Sequence, residues 1–429
     1  MATFSHHHLL LIFSLLTVTS AAPSFRPKAL VLPVSKDPST LQYTINLTQR
    51  TPPVSVPVTL HLGGPFLWVD CDRNYVSSTY RPARCNSAQC SLADSKSCGS
   101  CNSPPRPGCN KNTCGLSPEN PFTNTATSGE LATDVVRINS TDGANLGRVV
   151  TTPNFLFSCA PTFLLKGLAK GAQGVAGFGR TKISIPSQLT SAFNLPKKFA
   201  ICLASSVSDE GVIFFGDGPY TLYPAPVVTA ASLSYTPLLV NPSSTSDYYI
   251  GVTSIKIENT SVPINKALLL INKGKGGTKI STVHPYTIME SSIFNAVSSY
   301  FHKELKKEYM KYDGYNATIV KAVAPFKLCY DRSTLLITRP GVEVPTIKLV
   351  LQSEKVEWAI NGWNSMVTVK DNVMCFAFVD GGKNTETSII LGGYQLEDNI
   401  VQFDLAKSRL AFHSFYLESR CSNFNFTIA

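Results

Sequence analysis

The hydrophobic residues of this 429-residue chain fall mainly in short runs of Val, Ile, Leu and Phe, bounded by Gly, Pro, Asn and Ser. Runs of this length and composition are typical of β-strands. The pattern predicts strands at 41–47, 54–62, 131–138, 154–158, 199–203, 211–215, 248–257, 346–351, 374–379 and 400–404. Helical spacing is scarce and predicts only a helix over 291–312 and a shorter one over 187–193. The chain is therefore expected to be mainly β.

The first 21 residues have the pattern of a removable signal peptide. An apolar run at 9–18 is followed by the small residues of 19–23, and cleavage is predicted after Ala21. The segment contains three histidines and no Lys or Arg, and the histidines would be discarded with it. No other apolar run approaches the ~20 residues that a membrane helix needs. The sequence predicts a soluble, secreted protein with no membrane segment.

The remaining chain of about 400 residues is too long for one ordinary hydrophobic core, so two lobes are expected. Pro, Ser and Thr accumulate near 225–246. We place the boundary there, with an N-terminal lobe at 22–235 and a C-terminal lobe at 236–429.

Twelve cysteines, an even number, indicate disulfides in a secreted chain. The spacing Cys98-x-x-Cys101 would suggest zinc or redox chemistry in a cytosolic protein, but the oxidising compartment favours disulfides. Eight cysteines precede residue 160 and can pair among themselves, although the sequence does not fix their connectivity. The cysteines are Cys71, Cys85, Cys90, Cys98, Cys101, Cys109, Cys114, Cys159, Cys202, Cys329, Cys375 and Cys421.

Glycosylation motifs and net charge narrow the range of partners. Asn-x-Ser/Thr motifs mark candidate glycan sites and hence surface positions. A formal net charge of +10 favours acidic partners, such as an acidic cell-wall polysaccharide or an acidic enzyme. Nucleic acid is not expected, because the chain is secreted and no basic run is interleaved with aromatic residues. The motifs lie at Asn46, Asn139, Asn259, Asn316 and Asn425.

Two pairs of segments recur half a chain apart. VTLHLGGPFLWV at 58–69 precedes GVAGFG at 174–179, and TKISTVHP at 278–285 precedes SIILGG at 388–393. Together they resemble the two active-site segments of pepsin-like aspartic proteases. The run 392–412 and the tail 421–427 resemble, more narrowly, plant extracellular dermal glycoproteins, basic 7S globulins and xylanase or xyloglucanase inhibitors. The resemblance covers the mature chain. It implies a bilobal pepsin-like fold, no cofactor, and the disulfides Cys329–Cys375 and Cys202–Cys421.

The same resemblance implies that the catalytic machinery is missing. His61 and Ser281 stand in the places of the two catalytic aspartates, and Phe122 in the place of the flap tyrosine. An aspartic protease needs two carboxylates that share one proton, one acting as acid and the other as base. An imidazole and a hydroxyl cannot reproduce this exchange, so an inactive homologue is expected.

These residues allow two further interpretations, a catalytic one and a metal-binding one. Ser281 and His61 could form a nucleophile and its base, but no Asp or Glu is evident to orient His61 and no nucleophile elbow or oxyanion hole is indicated. His284 could join them in a zinc site, yet a lone nearby histidine is usually structural. The sequence favours inert, hydrogen-bonded fillers and no metal.

The resemblance implies a function in binding. The first hypothesis is an inhibitor of microbial cell-wall glycoside hydrolases, either a xyloglucan-specific endoglucanase or a xylanase, in plant defence. Basic side chains could occupy the paired carboxylates of a glycosidase cleft. The alternatives are a basic 7S globulin-like storage or peptide- or carbohydrate-binding protein, and an active peptidase. Candidate inhibitory loops are 272–279, 315–321, 331–341 and 382–387, and candidate residues are Lys273, Lys275, Lys321, Arg332, Arg339 and Tyr394.

Overall fold

The computed structural model describes residues 25–224, 226–312, 314–339, 341–353, 355–415 and 420–428. The predicted signal peptide, 1–21, lies outside these residues. The described chain is mainly β, as predicted. Within it, no helix is long and apolar enough to cross a membrane.

The strands of the described residues are numbered in chain order. Those of the first half are β1 Ala29–Lys36, β2 Tyr43–Gln49, β3 Val54–His61, β4 Trp68–Asp70, β5 Arg81–Pro82, β6 Ser97–Gly99, β7 Thr113–Leu116, β8 Glu119–Asn120, β9 Thr125–Ala126, β10 Gly129–Thr141, β11 Asn145–Ala160, β12 Gly174–Gly177, β13 Lys198–Cys202 and β14 Glu210–Phe215. Those of the second half are β15 Ser234–Asn241, β16 Ser244–Ile250, β17 Ser254–Ile257, β18 Thr260–Ser261, β19 Ile271–Asn272, β20 Lys275–Gly276, β21 Thr278–Ile280, β22 Thr287–Met289, β23 Ile319–Val320, β24 Cys329–Asp331, β25 Ile337–Thr338, β26 Gly341–Val342, β27 Ile347–Val350, β28 Glu357–Ile360, β29 Met366–Lys370, β30 Val373–Phe376, β31 Phe378–Asp380, β32 Ile389–Leu391, β33 Asn399–Asp404, β34 Arg409–Ser414 and β35 Asn425–Ile428.

Helices are few, and most are short. The predicted helix over 291–312 is α3, which begins at Ser291 and ends at Tyr309. The Glu290 side chain caps it by accepting the backbone N–H groups of Ser292 and Ile293. The α-helices are α1 Ala88–Leu92, α2 Ile185–Ala192, α3 Ser291–Tyr309, α4 Gly362–Ser365 and α5 Gly393–Leu396, and the 3₁₀ turns are Thr162–Leu165, Ala230–Ser232, Lys266–Leu269, Arg332–Thr334 and Cys421–Asn423.

A six-stranded antiparallel sheet joins the two halves of the chain, in the order β1, β14, β13, β33, β34, β15. Cys202 of β13 pairs with Ile400 of β33 at the crossing from one half to the other. The rings of Phe199 and Phe403 stack beside it with centroids 4.6 Å apart, and both are fully buried. This shared core holds the two halves in a fixed relation.

The internal repeat is visible in the strand pairing. In the first half β12 runs parallel to β3 and antiparallel to β4, and β4 runs parallel to β11. In the second half β32, β21, β22 and β31 repeat the same arrangement. Gly177 and Gly392 hold equivalent places, and a Cβ on either would lie 2.3 Å from a backbone atom of the neighbouring segment. The glycines of the two repeated motifs are therefore required by close backbone packing.

All twelve cysteines are paired, which confirms the disulfide prediction. Both bonds implied by the resemblance, Cys329–Cys375 and Cys202–Cys421, are present. The N-terminal cluster pairs as Cys71–Cys159, Cys85–Cys98, Cys90–Cys114 and Cys101–Cys109. Of the five glycosylation motifs, four have exposed asparagines, whereas Asn139 is half-buried and its amide donates to the Gly147 carbonyl at 3.1 Å.

Candidate functional site

The repeat brings two loops together where the halves of the chain meet. His61 ends β3, and Ser281 directly follows β21 in the equivalent place of the second half. Thr282 links the two loops, since its hydroxyl donates to the Leu60 carbonyl at 2.9 Å and accepts the Leu62 N–H at 3.2 Å. Leu62, in the matching position of the first loop, has no hydroxyl to return these bonds. The hydrogen bonds between the two loops therefore run from the Thr282 side chain to the first loop, without equivalent bonds from a Leu62 side chain to the second.

Replacing Thr282 with Val, which has a similar shape, should destabilise the protein. Thr282 is buried, so the T282V variant would leave the Leu62 N–H without its partner. An unsatisfied buried donor costs about 1–3 kcal/mol in the free energy of unfolding. Denaturant unfolding would measure this loss, with the exposed Thr260→Val on β18 as a control expected to change stability by less than about 0.5 kcal/mol. Equal stability of T282V and the unaltered protein would contradict the role given to this link.

A carboxylate does lie beside His61, contrary to the expectation from the sequence. A Cβ on Gly63 would meet Asp247 Oδ1 at 1.8 Å and His61 Nε2 at 3.2 Å, so the two atoms are at most about 5 Å apart. Asp247 lies on β16, and its Oδ2 contacts Lys279 Nζ of β21 at 3.3 Å. This approach could not be predicted from the sequence, because residues 247 and 61 are far apart in the chain. Strand β16 pairs with β21, and Tyr249 lies opposite Lys279. Asp247 is two residues before Tyr249 and therefore lies on the same face of the sheet as Lys279.

Burial and the neighbouring charges lower the pKa values of the two histidines of the junction, so both imidazoles are mainly neutral near pH 7. Burial lowers the pKa of His61 to about 4, Asp247 opposes this shift, and Lys279 and His284 add to it. Burial also lowers the pKa of His284, again assisted by Lys279 and opposed by Asp247. Both rings keep some contact with solvent. Neither imidazole has a hydrogen-bond partner among the residues that the structure describes.

His61 should make the stability of the protein depend on pH. Its folded pKa of about 4 lies below the ordinary value of 6.5, so the unfolded chain binds the proton more readily and stability falls as pH drops from 6.5 towards 4. Because the ring is partly solvated, we expect a loss of about 1–2 kcal/mol. The H61N variant should lose that much less stability than the unaltered protein between neutral and acidic pH. Parallel pH profiles of unfolding free energy for the two proteins would contradict the shift.

Ser281 does not have the environment of a nucleophile. Its hydroxyl accepts the backbone N–H of Val283 at 3.1 Å, and no hydrogen bond joins it to His61 in the described chain. No three His, Cys, Asp or Glu residues of that part are placed to hold a metal ion. Phe122 lies in the turn between β8 and β9 and packs against the cluster that contains Phe66 and Trp68. These contacts give neither hydrolytic chemistry nor a zinc site any support.

The candidate loops of the second half fall into two groups. We call 315–321 together with 331–339 loop pair A. Its two segments are joined by the β23–β24 ladder and by a bond from the Asp331 N–H to the Thr318 carbonyl at 2.9 Å. Cys329–Cys375 ties β24 to β30 beneath them. The exposed side chains of loop pair A include the basic, aromatic and aliphatic residues Tyr315, Ile319, Lys321, Arg332, Ile337 and Arg339. The polar residues Asn316, Thr318 and Ser333 are exposed beside them, and Asn316 is a candidate glycan site.

We call 271–277 together with 382–387 loop pair B. Lys273 and Gly274 form the tight turn between β19 and β20, both with positive φ, of 49° and 83°. The Gly276 N–H donates to the Glu386 carbonyl at 2.7 Å, which holds the second segment against this hairpin. Lys273 and Lys275 are exposed at its tip. Loop pair B thus presents lysines beside one exposed aliphatic side chain, Leu270, and its described residues include no exposed large aromatic side chain.

Tyr394, the remaining candidate, faces the interior. Its hydroxyl donates to the Met366 carbonyl at 2.6 Å, and its ring contacts the ring of Tyr286. Nearby, Glu397 links the halves of the chain by accepting hydrogen bonds from Lys36 Nζ at 2.5 Å and from the Tyr43 hydroxyl at 2.6 Å. Burial raises the pKa of Glu397 to about 7, opposed by Lys36. These contacts suit a packing role for Tyr394 better than an inhibitory one.

Comparison with known proteins identifies the family. The model described as xylanase inhibitor N-terminal matches residues 43–217, and the one described as xylanase inhibitor C-terminal matches residues 247–414. A curated protein from Nicotiana benthamiana, named probable aspartic proteinase GIP2, is 56% identical over 98% of both chains. The chain belongs to the xylanase-inhibitor family.

Solved structures agree with membership of the xylanase-inhibitor family. A crystal structure titled edgp superposes with a TM-score of 0.90 at 55% identity, over 95% of this chain and 100% of that one. Basic 7S globulin from soybean gives a TM-score of 0.81 at 38% identity, over 94% and 100%. An aspartic proteinase from Irpex lacteus, at 14% identity and a TM-score of 0.58, shows the fold alone. The bilobal, mainly β, pepsin-like fold predicted from the sequence is confirmed.

Proposed function

We propose that this xylanase-inhibitor family member inhibits a microbial cell-wall glycoside hydrolase, a xyloglucan-specific endoglucanase or a xylanase, in plant defence. The observation that carries the proposal is loop pair A. Aromatic and arginine side chains dominate the binding energy of protein interfaces, and here Tyr315 and Ile319 are exposed beside Lys321 and Arg332. A support held by a disulfide reduces the entropy lost on binding.

The charge of loop pair A suits the proposed target. A glycosidase cleft carries two catalytic carboxylates that flank the scissile bond. Lys321 or Arg332 inserted there would form charge-assisted hydrogen bonds with one of them. The exposed apolar side chains would pack against the sugar-binding walls. In this account Lys273, Lys275 and Arg339 are peripheral, and Tyr394 supports the fold.

We further propose that the chain has no proteolytic activity. His61 and Ser281 occupy the equivalent loop positions from which an aspartic protease presents its two aspartates, and Phe122 lacks a flap hydroxyl. Asp247 is engaged by Lys279 and is the one carboxylate that acts on His61 and His284 in the described chain, so the junction has no second carboxylate with which it could share a proton. Incubation with a denatured protein at acidic pH should give no cleavage products. Cleavage sensitive to an aspartic-protease inhibitor would refute this.

The proposed location is the apoplast or cell wall, after removal of residues 1–21. A net charge of +10 would favour retention on acidic polysaccharide. The lobes are proposed to divide at 235/236, between the two family matches at 43–217 and 247–414.

A second candidate is a storage or peptide- or carbohydrate-binding role, favoured by the similarity to soybean basic 7S globulin. An inhibition panel separates the two. Initial rates of xyloglucan-specific endoglucanases and xylanases are measured with increasing amounts of the protein. Inhibition of one enzyme class at about stoichiometric protein supports the inhibitor, whereas unchanged rates across both classes favour the storage or binding role.

A further inference from the structure

The junction between the halves carries a group of polar side chains that the proposed inhibitor function does not use. His61 and His284 come from the two repeated loops, and Asp247 and Lys279 from neighbouring strands β16 and β21. All four are half-buried, so solvent reaches them. Ser281 lies in the second loop, directly after β21, and its hydroxyl accepts the Val283 N–H.

The two formal charges of this group, on Asp247 and Lys279, form an ion pair. Asp247 Oδ2 accepts hydrogen bonds from Lys279 and from the Ser244 hydroxyl. The two imidazoles have no hydrogen-bond partner in the described chain. Arg180, whose backbone N–H donates to the Ser246 carbonyl beside Asp247, directs its guanidinium to the Leu239 carbonyl at 2.9 Å instead. The junction thus offers two unused imidazole N–H donors next to the Lys279 ammonium group, which donates a hydrogen bond to Asp247 and has further N–H groups.

We propose that this junction binds a small carboxylate, with His61 and His284 as hydrogen-bond donors and Lys279 as the neighbouring positive charge. A carboxylate accepts up to four hydrogen bonds and is the partner that such a donor set satisfies best. The described residues hold no three groups placed for a metal ion, so a cation would find too few ligands. The ligand is either the carboxyl terminus of a peptide or a uronic acid, which share this chemistry.

Binding at this site should take up protons. The pKa values of both histidines are lowered in the free protein by burial and by Lys279, with Asp247 opposing the shift. A bound carboxylate would stabilise their charged forms. By linkage, affinity then rises as pH falls from neutral, by up to about tenfold per pH unit for each coupled proton. Below about pH 4 the ligand itself becomes neutral and affinity falls again.

Isothermal titration calorimetry tests this with four probes: galacturonate, galactose, N-acetyl-dialanine and N-acetyl-dialanine amide. We expect a dissociation constant at least about tenfold smaller near pH 5 than near pH 7 for one acid probe, and no binding of its neutral analogue. Repeating the titration near pH 5.5 in MES and in piperazine, which differ in ionisation enthalpy, should show uptake of about one proton. Binding of galacturonate alone identifies the source as a uronic acid, and binding of the peptide acid alone identifies it as a peptide terminus.

Variants locate the site on the protein. His61→Asn and His284→Asn should each weaken binding by about tenfold, and the double variant should lose the pH dependence. Lys279→Met, which keeps both histidines, should weaken binding at all pH values. His302→Asn is the matched control, because His302 lies on α3 and contacts the Tyr330 hydroxyl of β24, so its replacement should leave binding unchanged. The proposal is overturned if neither acid binds at millimolar concentration, if the neutral analogues bind equally well, or if affinity is the same near pH 5 and pH 7.

Discussion

Replacing Cys202 and Cys421 together with Ala should lower the free energy of unfolding by about 4–5 kcal/mol. This disulfide joins residues 219 positions apart, the longest separation of the six bonds. Without it the unfolded chain gains the entropy of a loop that spans about half the sequence. It also anchors the C-terminal segment, where β35 pairs with β11 of the first half. Equilibrium denaturation in guanidinium chloride would measure the loss.

The matched control is the double Ala variant of Cys101 and Cys109. The disulfide between these residues closes a loop with a separation of only 8 residues. The same entropy relation gives it about 3 kcal/mol at most. We therefore expect the long-range pair to be the more destabilising of the two. The reverse order would show that loop length does not govern these bonds, and that native contacts near the short loop matter more.

The K321A/R332A double variant should weaken inhibition of the target glycosidase by about 100-fold. Both residues are exposed on loop pair A, and removing the charge-assisted contact that either can make with a catalytic carboxylate should cost about 1.5–3 kcal/mol, the upper end of which corresponds to about 100-fold. The measurement is the inhibition constant from steady-state rates. Unchanged thermal stability of the variant would show that the loss belongs to binding.

The matched control removes the same charge from the other surface. K273A/K275A on loop pair B leaves loop pair A intact, and we expect its inhibition constant to change by less than about threefold, since peripheral charges affect association modestly. A larger effect for loop pair B than for loop pair A would transfer the inhibitory surface to the β19–β20 hairpin. It would contradict the assignment made here.

Much of the fold could be predicted, because the short apolar runs and the internal repeat of two active-site-like segments both indicate a bilobal β protein. Alternating and continuous apolar runs predicted strands such as 199–203 and 400–404, which the structure places at Lys198–Cys202 and Asn399–Asp404. The prediction of one continuous strand over 248–257 was wrong, because the structure has two strands there, β16 and β17. This segment divides after Ile250, because β16 pairs with β21 while β17 turns into a separate sheet with β27. Apolar content alone does not mark such a change of partner.

The functional surface was less predictable, because it depends on contacts between distant segments. The sequence named His61 and Ser281 from their motif positions, but not Asp247, whose place beside His61 follows from strand pairing. The sequence indicated six candidate inhibitory residues, but not which of them lie together on one surface. The separation into two loop pairs comes from the β23–β24 ladder and the Gly276–Glu386 hydrogen bond, and the interior position of Tyr394 from its bond to Met366.

We propose that this pepsin-like scaffold binds an enzyme instead of cutting a protein. A titration of purified xyloglucan-specific endoglucanase and xylanase with this protein, following the initial rate of polysaccharide hydrolysis, tests that proposal. We expect the rate of at least one of these enzymes to fall to near zero at about equimolar protein. Undiminished rates for every enzyme of both classes at micromolar protein would contradict it.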